Sequence, residues 1–464
     1  MKKPKSWSYA PYKPLFFNTG DIYICRIAPI ENAITIDWLP VDGIENYNVY
    51  IRERDNGEFE KVGVTSETTY TFTGRKYETD YAFYVEAGNK KSRVRLARCG
   101  ETVPGATIVN YLHPEDEAYI FSGHCLCSPS IIRHPDGYLL ASMDVFKDKY
   151  PQNLTLIFRS DDDGKSWKYV SELFPCFWGK MFVHKGDVYM FGCSTEYGDV
   201  LIGKSSDGGK TFTEPTILFR GGNGKNGEPG CHRNPEPVVI HDGRIWNTVE
   251  WGSWGRCYHA PMVLSAPVDA DLLDSDSWEF SVPVKYNPEW PGLPKGTSAG
   301  NIEGCLTPIG DELYTVMRYD MSKLERTSGL VMRYKVNTKD PAAPLEFDRT
   351  IEFPANASKF EMIFDEGTKK WYSIASRIKE NDNGTKTVRN LLTLFVSDDC
   401  INWEIARDLI DMSDRDPMKI GFQYVDMFIE NGVIYYLVRT AINNAANFHD
   451  ANYSLFFKLP INEI

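Results

Sequence analysis

The stretch SDDDGKSW, residues 160–167, recurs as SSDGGKTF at 205–212 and, in degraded form, as SDDCINW at 397–403. The shared pattern is S-x-D-x-G-x-x-W, with Phe in place of Trp in the second copy. In turns, Ser and Asp side chains bond the local backbone, Gly adopts a positive φ, and an aromatic ring can pack beneath the turn. The carboxylates could be catalytic, but recurrence at separate places predicts a structural turn in a repeated β unit.

The unit around these turns is an apolar strand, a turn with Asp/Gly or Asn/Gly, and a second strand rich in aromatic residues. Hairpins of this form occupy residues 128–146, 180–192, 235–251, 303–320, 359–377 and 422–440. Their spacing of roughly 50–70 residues leaves room for four strands each, which is the size of a propeller blade. The pattern predicts an all-β propeller of six blades, with seven as the alternative, over residues 105–464.

Residues 20–100 have a different pattern, in which apolar and polar residues alternate in short runs such as ITIDW, YNVYIRE and YAFYVEA. About seven such runs indicate a small β-sandwich. The tryptophan of ITIDW, the YNVY strand and the late YAFYVEA strand resemble a fibronectin type III domain. We therefore expect a first domain of residues 1–104, with an N-terminal extension, to precede the propeller.

Charge and composition narrow the classes of partner. The formal net charge is -13 for 464 residues, whereas nucleic-acid binding needs a basic footprint, so we expect no nucleic-acid partner. No segment approaches a membrane-spanning apolar run. The ten cysteines are scattered, and the sequence has no metal-ligand spacing, so we expect free thiols, no metal and no cofactor. The N-terminal segment has no apolar run of signal-peptide length, which predicts a cytoplasmic protein unless a leader has been removed.

In a propeller, the first strand of each blade lines the central channel, so one face of the ring collects the starts of first strands and the ends of second strands. Ionisable residues recur at these positions and predict a single charged site, with a ring of interblade salt bridges as the alternative. The second strands end with Asp144, Glu250, Arg318, Arg377 and Arg439, and the first strands begin with His232, Arg233, Glu303, Lys359 and Tyr424.

The opening repeat resembles the Asp-box turns of sialidases. Several of the ionisable residues also resemble the catalytic residues of that family. The QYVD stretch is similar to the family's tyrosine-bearing strand, which implies that Tyr424 is a nucleophile. Glu303, in NIEG, would accept its proton, and Arg318 would hold the substrate carboxylate. Arg389, just before the third copy of the repeat, resembles another carboxylate-binding arginine. An adjacent carboxylate and arginines would make a phenol an effective nucleophile at an anomeric carbon.

The first blade departs from the sialidase pattern. Sialidases begin this blade with an F/Y-R-I-P stretch whose arginine binds the carboxylate, but here the stretch reads LCSPS, with Cys127 or Ser128 at that position. Loss of one bidentate arginine should weaken binding of a sialic acid. The catalytic acid has two candidates, Asp144 and Asp148.

A second resemblance covers nearly the whole propeller. Stretches such as GRIW, NIEG, GFQYVD, VRTA and HDANY, in this order, are similar to sialidase-superfamily propellers that act on rhamnose–glucuronate linkages as rhamnosidases or lyases. The resemblance implies that His124 or His232 takes part in catalysis. A neutral imidazole could remove the C5 proton of a uronate, and Tyr424 could protonate the leaving oxygen.

We expect an exo-acting glycoside hydrolase that releases a terminal acidic or acid-linked sugar from an oligosaccharide or glycoconjugate. The first alternative is a lyase or rhamnosidase at a rhamnose–uronate linkage, and the second is a non-catalytic carbohydrate-binding propeller. Trp178, Trp251 and Trp254 could form a stacking platform for a sugar, or they could be ordinary core residues. The sequence leaves the oligomeric state open.

Overall fold

The computed structural model describes residues 21–222, 228–256, 258–298, 300–319, 323–324, 328–377, 379 and 388–463. The N-terminal extension of the predicted first domain therefore lies outside the described residues. Within them the chain is all-β, with three single-turn 3-10 helices at Trp254–Arg256, Ser275–Ser277 and Ile461–Glu463. None of the described helices has the length and apolarity to cross a bilayer.

The first part of the chain forms two antiparallel sheets around a shared core. Their strands are β1 (Ile24–Pro29), β2 (Ala33–Trp38), β3 (Tyr47–Glu53), β4 (Glu60–Thr65), β5 (Thr69–Thr73), β6 (Asp80–Ala87), β7 (Lys90–Lys91) and β8 (Arg95–Arg98). One sheet has the order β1-β2-β5; the other has the order β4-β3-β6-β7, with β8 also paired to β6. Alternating burial along β1, β2 and β3 places one face of each strand in the core.

Six antiparallel sheets of four or five strands follow in the part of the chain that the structure describes. Strand β9 (Thr107–Tyr111) precedes them. The first sheet contains β10 (Cys125–Arg133), β11 (Leu139–Phe146), β12 (Leu154–Ser160) and β13 (Lys168–Leu173). The second contains β14 (Phe177–His184), β15 (Asp187–Cys193), β16 (Val200–Ser205) and β17 (Thr216–Phe219). The third contains β18 (Gly230–His232), β19 (Val239–His241), β20 (Arg244–Ser253), β21 (Tyr258–Pro267) and β22 (Glu279–Phe280).

The remaining sheets continue in the same order. After β23 (Gly296–Thr297), the fourth sheet contains β24 (Asn301–Ile309), β25 (Glu312–Tyr319), β27 (Leu330–Lys335) and β28 (Glu346–Glu352), and the short β26 (Lys323–Leu324) pairs with β23. The fifth contains β29 (Ile363–Asp365), β30 (Lys370–Ser376), β31 (Leu391–Ser397) and β32 (Glu404–Asp411). The sixth contains β33 (Gly421–Glu430), β34 (Val433–Ala441) and β35 (Tyr453–Pro460), with β9 as its outer strand.

Each sheet shares an apolar core with the next, and the sixth shares one with the first. Leu140 of the first sheet packs in one cluster with Met181 of the second. At the other end of the series, Leu126 of the first sheet lies in one cluster with Leu437 of the sixth. Because every sheet buries both faces against neighbours, the arrangement is a closed ring whose innermost strands face a common centre.

The N-terminal sheets are held against this ring by buried polar contacts. The Nε of Arg95 donates to an Oδ of Asp116 at 2.7 Å, and both side chains are almost completely buried. Arg26 donates to the carbonyl oxygen of Val109, on the strand that completes the sixth sheet. These contacts join the N-terminal sheets to the ring, together with an apolar cluster that both parts share.

The three copies of the opening repeat form the same kind of turn between the third and fourth strands of a sheet. In the first copy, Ser160 Oγ accepts from Gly164 N at 2.8 Å and donates to Asp162 Oδ1 at 2.8 Å. Asp162 also accepts from the backbone and hydroxyl of Ser166, and Trp167 is buried under the turn. The carboxylate therefore satisfies backbone groups of its own turn, and Asp162 does not line the cavity described below.

Replacing Gly164 by alanine should destabilise the protein by about 2–5 kcal/mol. Gly164 has a φ of 86°, and an added Cβ would lie 1.9 Å from a ring carbon of Phe456. The left-handed backbone accounts for about 1–2 kcal/mol and the overpacking for about 1–3 kcal/mol. Gly137→Ala is the matched control, because Gly137 has a φ of 95° with nothing near its Cβ. Equal shifts of the two denaturant midpoints would contradict the packing argument.

Candidate active site

A cavity of about 400 Å³ lies at the centre of the ring, where side chains from all six sheets or their loops converge. Its lining residues are Cys127, Ser128, Phe146, Asp148, Gln152, Phe177, Trp178, Glu196, His232, Trp254, Glu303, Arg318, Ala357, Arg389, Tyr424, Arg439, Phe448 and His449. A larger depression of about 680 Å³ is formed by turns around Asp242 and Lys339. Its ion pair between these two residues is solvent-exposed, whereas the central cavity gathers buried charges, which makes the central cavity the candidate site.

Four innermost strands share an irregularity that directs side chains into this cavity. Ser128, Trp178, Glu303 and Tyr424 have positive φ values of 49°, 54°, 59° and 57°. At each of them the pairing with the second strand shifts register. A β-bulge re-aims a side chain, and strained backbone of this kind is maintained where the surrounding structure requires it. The repeated bulge therefore builds the site from equivalent positions of different sheets.

Tyr424, Glu303 and Arg318 form one hydrogen-bonded group. The Tyr424 hydroxyl donates to Glu303 Oε1 at 2.8 Å. Arg318 Nη1 donates to Glu303 Oε2 at 2.6 Å and lies 3.1 Å from the Tyr424 hydroxyl oxygen. Tyr424 and Glu303 come from bulges 121 residues apart in the chain. At these distances the Tyr424 proton can pass directly to Glu303, and Arg318 holds both side chains in place.

The electrostatic surroundings keep Glu303 and Tyr424 in different protonation states. Burial would raise the pKa of Glu303, but the charge of Arg318 and the hydrogen bonds from Arg318 and Tyr424 hold that pKa below its usual range. Burial and the neighbouring Glu303 raise the pKa of Tyr424, against the opposing effect of the arginines. The resting site therefore pairs a neutral phenol with an ionised carboxylate that is positioned to accept its proton.

Two further arginines face the same cavity. Arg389 lies with its guanidinium carbon 5.6 Å from the Tyr424 ring centre, and Arg439 lies 5.0 Å from it. Both side chains are buried, and neither has a carboxylate partner among the described residues. Burial, with repulsion from Arg318 and Arg439, lowers the pKa of Arg389 to about 10, so it is still charged near neutral pH. Buried cations without a protein counter-ion favour an anionic ligand group.

Aromatic and imidazole rings form another wall of the cavity. The Trp178 ring centre lies 4.5 Å from that of His232, and Trp254 lies 4.5 Å from His259. His232 Nδ1 is 2.7 Å from Glu250 Oε2. Burial lowers the pKa of His232 to about 4 and raises that of Glu250 well above its usual range, so both groups are neutral near pH 7. A neutral imidazole at this position can accept a proton.

Several residues predicted for the site do not line the cavity. Asp144 is completely buried and accepts from Thr155 and from the backbone of Gly179, so it supports the Trp178 bulge. Arg233 donates to the Trp178 carbonyl oxygen from beneath the same bulge. These two residues hold the backbone of a lining residue rather than facing a ligand.

The other predicted residues outside the cavity have structural partners as well. Arg377 binds Asp408 in a bidentate ion pair, with distances of 2.9 and 2.6 Å. His124 contacts the Asp116 carbonyl oxygen and the Tyr150 hydroxyl. The prediction that strand ends meet at the channel identifies the inner strands correctly. It does not show which of their side chains point into the cavity.

Lys359 lies in a buried ionic cluster next to the cavity. Its Nζ donates to Glu361 Oε1 and to the Val425 carbonyl oxygen, both at 2.7 Å, and it is 3.9 Å from Asp426. Asp426 also binds Lys180 and accepts from the backbone of the first sheet. The cluster joins the first, second, fifth and sixth sheets at the centre of the ring.

Sequence reasoning missed Glu196, Gln152, Phe448 and His259, of which the first three line the cavity. Glu196 follows the second strand of the second sheet, as Asp148 follows the second strand of the first sheet. The strand-end rule would have found Glu196 if it had included the loops beyond the strands. Among the described residues, no cluster of three or more His, Cys, Asp or Glu side chains could hold a metal ion.

Comparison with solved structures supports a sialidase-like propeller. The structure is similar to an α-L-arabinanase from Penicillium chrysogenum solved with arabinobiose, with a TM-score of 0.51 and 12% identity over 78% of this chain and 99% of that chain. It is also similar to an α-L-arabinofuranosidase from Fusarium graminearum solved with an iminosugar inhibitor (TM-score 0.50, 13% identity, 78% and 98% coverage).

A point mutant of the NanB sialidase from Streptococcus pneumoniae matches a larger share of the chain. Its TM-score is 0.50 at 9% identity, with 98% of this chain and 94% of that chain covered. No family model and no curated protein sequence matches the chain. At these identities the similarities establish the fold.

Proposed function

We propose that this protein is an exo-acting glycoside hydrolase that removes a terminal acidic or acid-linked sugar from an oligosaccharide or glycoconjugate. The observation that carries the proposal is the hydrogen bond from Tyr424 to Glu303, with Arg318 on both, at the floor of a central cavity. The similar structures support it, because they are those of an arabinanase, an arabinofuranosidase and a sialidase.

The chemistry follows from the resting protonation states. As the Tyr424 oxygen approaches the anomeric carbon, its proton passes to Glu303, which is ionised and already accepts a hydrogen bond from it. The phenol does not need to ionise in advance, so its raised pKa does not prevent attack. Arg318 stabilises the negative charge that develops on the phenol oxygen.

Two arginines that have no carboxylate partner among the described residues support the proposal of an acidic group on the substrate. Arg389 and Arg439 come from the fifth and sixth sheets and flank Tyr424. The first sheet has Cys127 and Ser128 where the sialidase pattern has an arginine, and Arg439 supplies a third cation from a different position. Hydrogen bonds from buried guanidinium groups to a carboxylate are among the stronger polar contacts in proteins.

The variant Arg389→Met should raise KM for an acidic glycoside on the order of 10–100-fold, the loss expected for a charged hydrogen bond. KM for a neutral glycoside should change much less. Arg377→Met is the matched control, because Arg377 pairs with Asp408 outside the cavity. Steady-state kinetics on an acidic and a neutral aryl glycoside would decide the matter, and an equal rise of KM for both substrates would exclude a carboxylate-binding role.

We also propose that the six sheets are the blades of a six-bladed propeller, with Asp-box turns in three of them. The two N-terminal sheets would form a fibronectin type III-like domain. The shared cores between consecutive sheets support the blade number, and the strand orders β1-β2-β5 and β4-β3-β6-β7 support the sandwich.

The direct test is incubation of the protein with a panel of oligosaccharides and aryl glycosides that end in acidic or neutral sugars. An exo-hydrolase should release one reducing sugar per cleavage from the non-reducing end. Saturable binding without product on every member of the panel would instead support a carbohydrate-binding propeller.

His232 favours one second candidate, a lyase that acts on a uronate. Its imidazole is neutral near pH 7 and lines the cavity with Tyr424 and Arg318. It could remove the C5 proton while an arginine stabilises the enolate. Elimination leaves a double bond conjugated to the carboxylate, so ultraviolet absorbance of the product separates the two reactions.

A further inference from the structure

Two loops meet at the rim of the cavity and bring two carboxyl groups into it. Asp148 lies in the loop that follows strand β11, and Glu196 lies in the loop that follows strand β15. Gln152 joins the loops, because its Nε2 lies 3.4 Å from Glu196 Oε2. The Thr195 hydroxyl donates to the Pro151 carbonyl oxygen and forms a second link.

The Glu196 carboxyl group is held in place by its neighbour. Tyr197 has a φ of 59° and forms a β-bridge to Cys231 of the third sheet. The Tyr197 hydroxyl accepts from the backbone of Trp254 at 2.9 Å and lies 3.0 Å from His259 Nε2. Tyr197 is therefore held against the wall of the cavity by the third sheet, and its contacts restrict the position of the neighbouring Glu196 carboxyl group.

The two carboxyl groups have different surroundings. Asp148 is exposed to water, whereas Glu196 is half-buried. Burial and the nearby Asp148 raise the pKa of Glu196 to about 7, and Gln152 opposes the shift. The other titratable or charged groups that line the cavity are Cys127, His232, Glu303, Arg318, Arg389, Tyr424, Arg439 and His449. Glu303 and Glu196 thus differ in protonation, as the base and the acid of one reaction must.

We propose that Glu196 is the proton donor to the leaving glycosidic oxygen and that Asp148, which lines the same part of the cavity, is a positioning residue that acts through Glu196. This inference rests on the proposed glycoside hydrolase function. In the first step the Tyr424 oxygen bonds to the anomeric carbon, the glycosidic C–O bond breaks, the leaving oxygen takes the Glu196 proton, and Glu303 takes the phenol proton.

The second step restores the site. A water molecule attacks the anomeric carbon and gives its proton to the Glu196 carboxylate, while the bond to the Tyr424 oxygen breaks. That oxygen recovers its proton from Glu303. Both carboxyl groups therefore return to their initial states, and one water molecule is consumed for each bond cleaved.

The test compares two substrates with the same sugar, one with an activated aryl leaving group and one with an unactivated sugar as leaving group. Glu196→Gln should lower kcat/KM on the order of 10²–10⁴-fold for the unactivated substrate, which needs a proton donor, and less than about 10-fold for the aryl glycoside. Glu172→Gln is the matched control, because Glu172 also has a pKa raised to about 7 by burial but bonds Tyr23 outside the cavity.

A pH profile tests the role of Asp148. Removal of its negative charge in Asp148→Asn makes Glu196 easier to ionise, so the alkaline limb of kcat/KM should move to lower pH. An equal loss on both substrates in Glu196→Gln, or a leaving-group-dependent loss in Asp148→Asn instead, would overturn the assignment and leave the hydrolase function standing. Failure of the unaltered protein to cleave either substrate would overturn both proposals.

Discussion

Tyr424→Phe is expected to reduce kcat for glycoside cleavage by on the order of 10³-fold or more, with little change in the circular dichroism spectrum or the unfolding midpoint. The substitution removes only the hydroxyl that donates to Glu303 and faces Arg318. Loss of a nucleophile is among the most damaging changes in a hydrolase. Release of reducing sugar from the best substrate of the panel is the measurement.

Two controls sharpen this prediction. Tyr150→Phe removes a hydroxyl that contacts His124 outside the cavity, so its activity should be unchanged. A fluorinated slow substrate should label the unaltered protein at Tyr424, and mass spectrometry should find no label in Tyr424→Phe. Because Tyr424 and Glu303 act as a unit, the double variant with Glu303→Gln should be little slower than either single variant. Near-normal turnover by Tyr424→Phe would refute the nucleophile assignment.

Lys359→Met is expected to lower the free energy of unfolding by about 3–5 kcal/mol, the cost of leaving buried charges without a partner. Lys359 is fully buried and donates to Glu361 and to the Val425 carbonyl oxygen, within 3.9 Å of Asp426. Burial and the nearby Asp426 raise the pKa of Glu361 to about 8, and Lys359 opposes that rise. Removal of the lysine should therefore make Glu361 harder to ionise and should destabilise the centre of the ring.

The control for this effect is Lys335→Met, which breaks the solvent-exposed pair of Lys335 and Glu312 at 2.9 Å. A surface pair contributes about 0–1 kcal/mol, so this variant should unfold almost as the unaltered protein does. Urea unfolding followed by tryptophan fluorescence measures both variants. Indistinguishable midpoints would show that the central cluster relaxes or takes up water when the lysine is lost.

The sequence is sufficient to predict which ionisable residues of the inner strands share one cavity. Hairpin spacing and a family resemblance predict that one site contains Tyr424, Glu303, Arg318 and Arg389. In the structure all four line one cavity. Hairpins with alternating patterns fix which strand is innermost, and blade symmetry then places equivalent residues together. Their catalytic roles are still predictions.

The same reasoning could not decide where individual side chains point. Asp144 and Arg233 occupy strand positions as good as those of Glu303, yet they lie beneath the Trp178 bulge. A bulge shifts the alternation of a strand by one residue, and alternation alone does not reveal its position. Glu196 lies in the loop after β15, and the conformation of that loop is fixed by contacts distant in sequence, so strand alternation alone does not place its carboxyl group in the cavity.

The pairing of β9 with β35 has a consequence for how the chain is made. Residues 107–111 are synthesised more than 300 residues before their partners at 453–460. The ring therefore cannot close until residues 453–460 have been synthesised, although β9 can already contact the N-terminal module through Arg26. A nascent or truncated polypeptide that ends before residue 453 should expose unsatisfied strand edges and depend on chaperones, even though most of its sheets are complete.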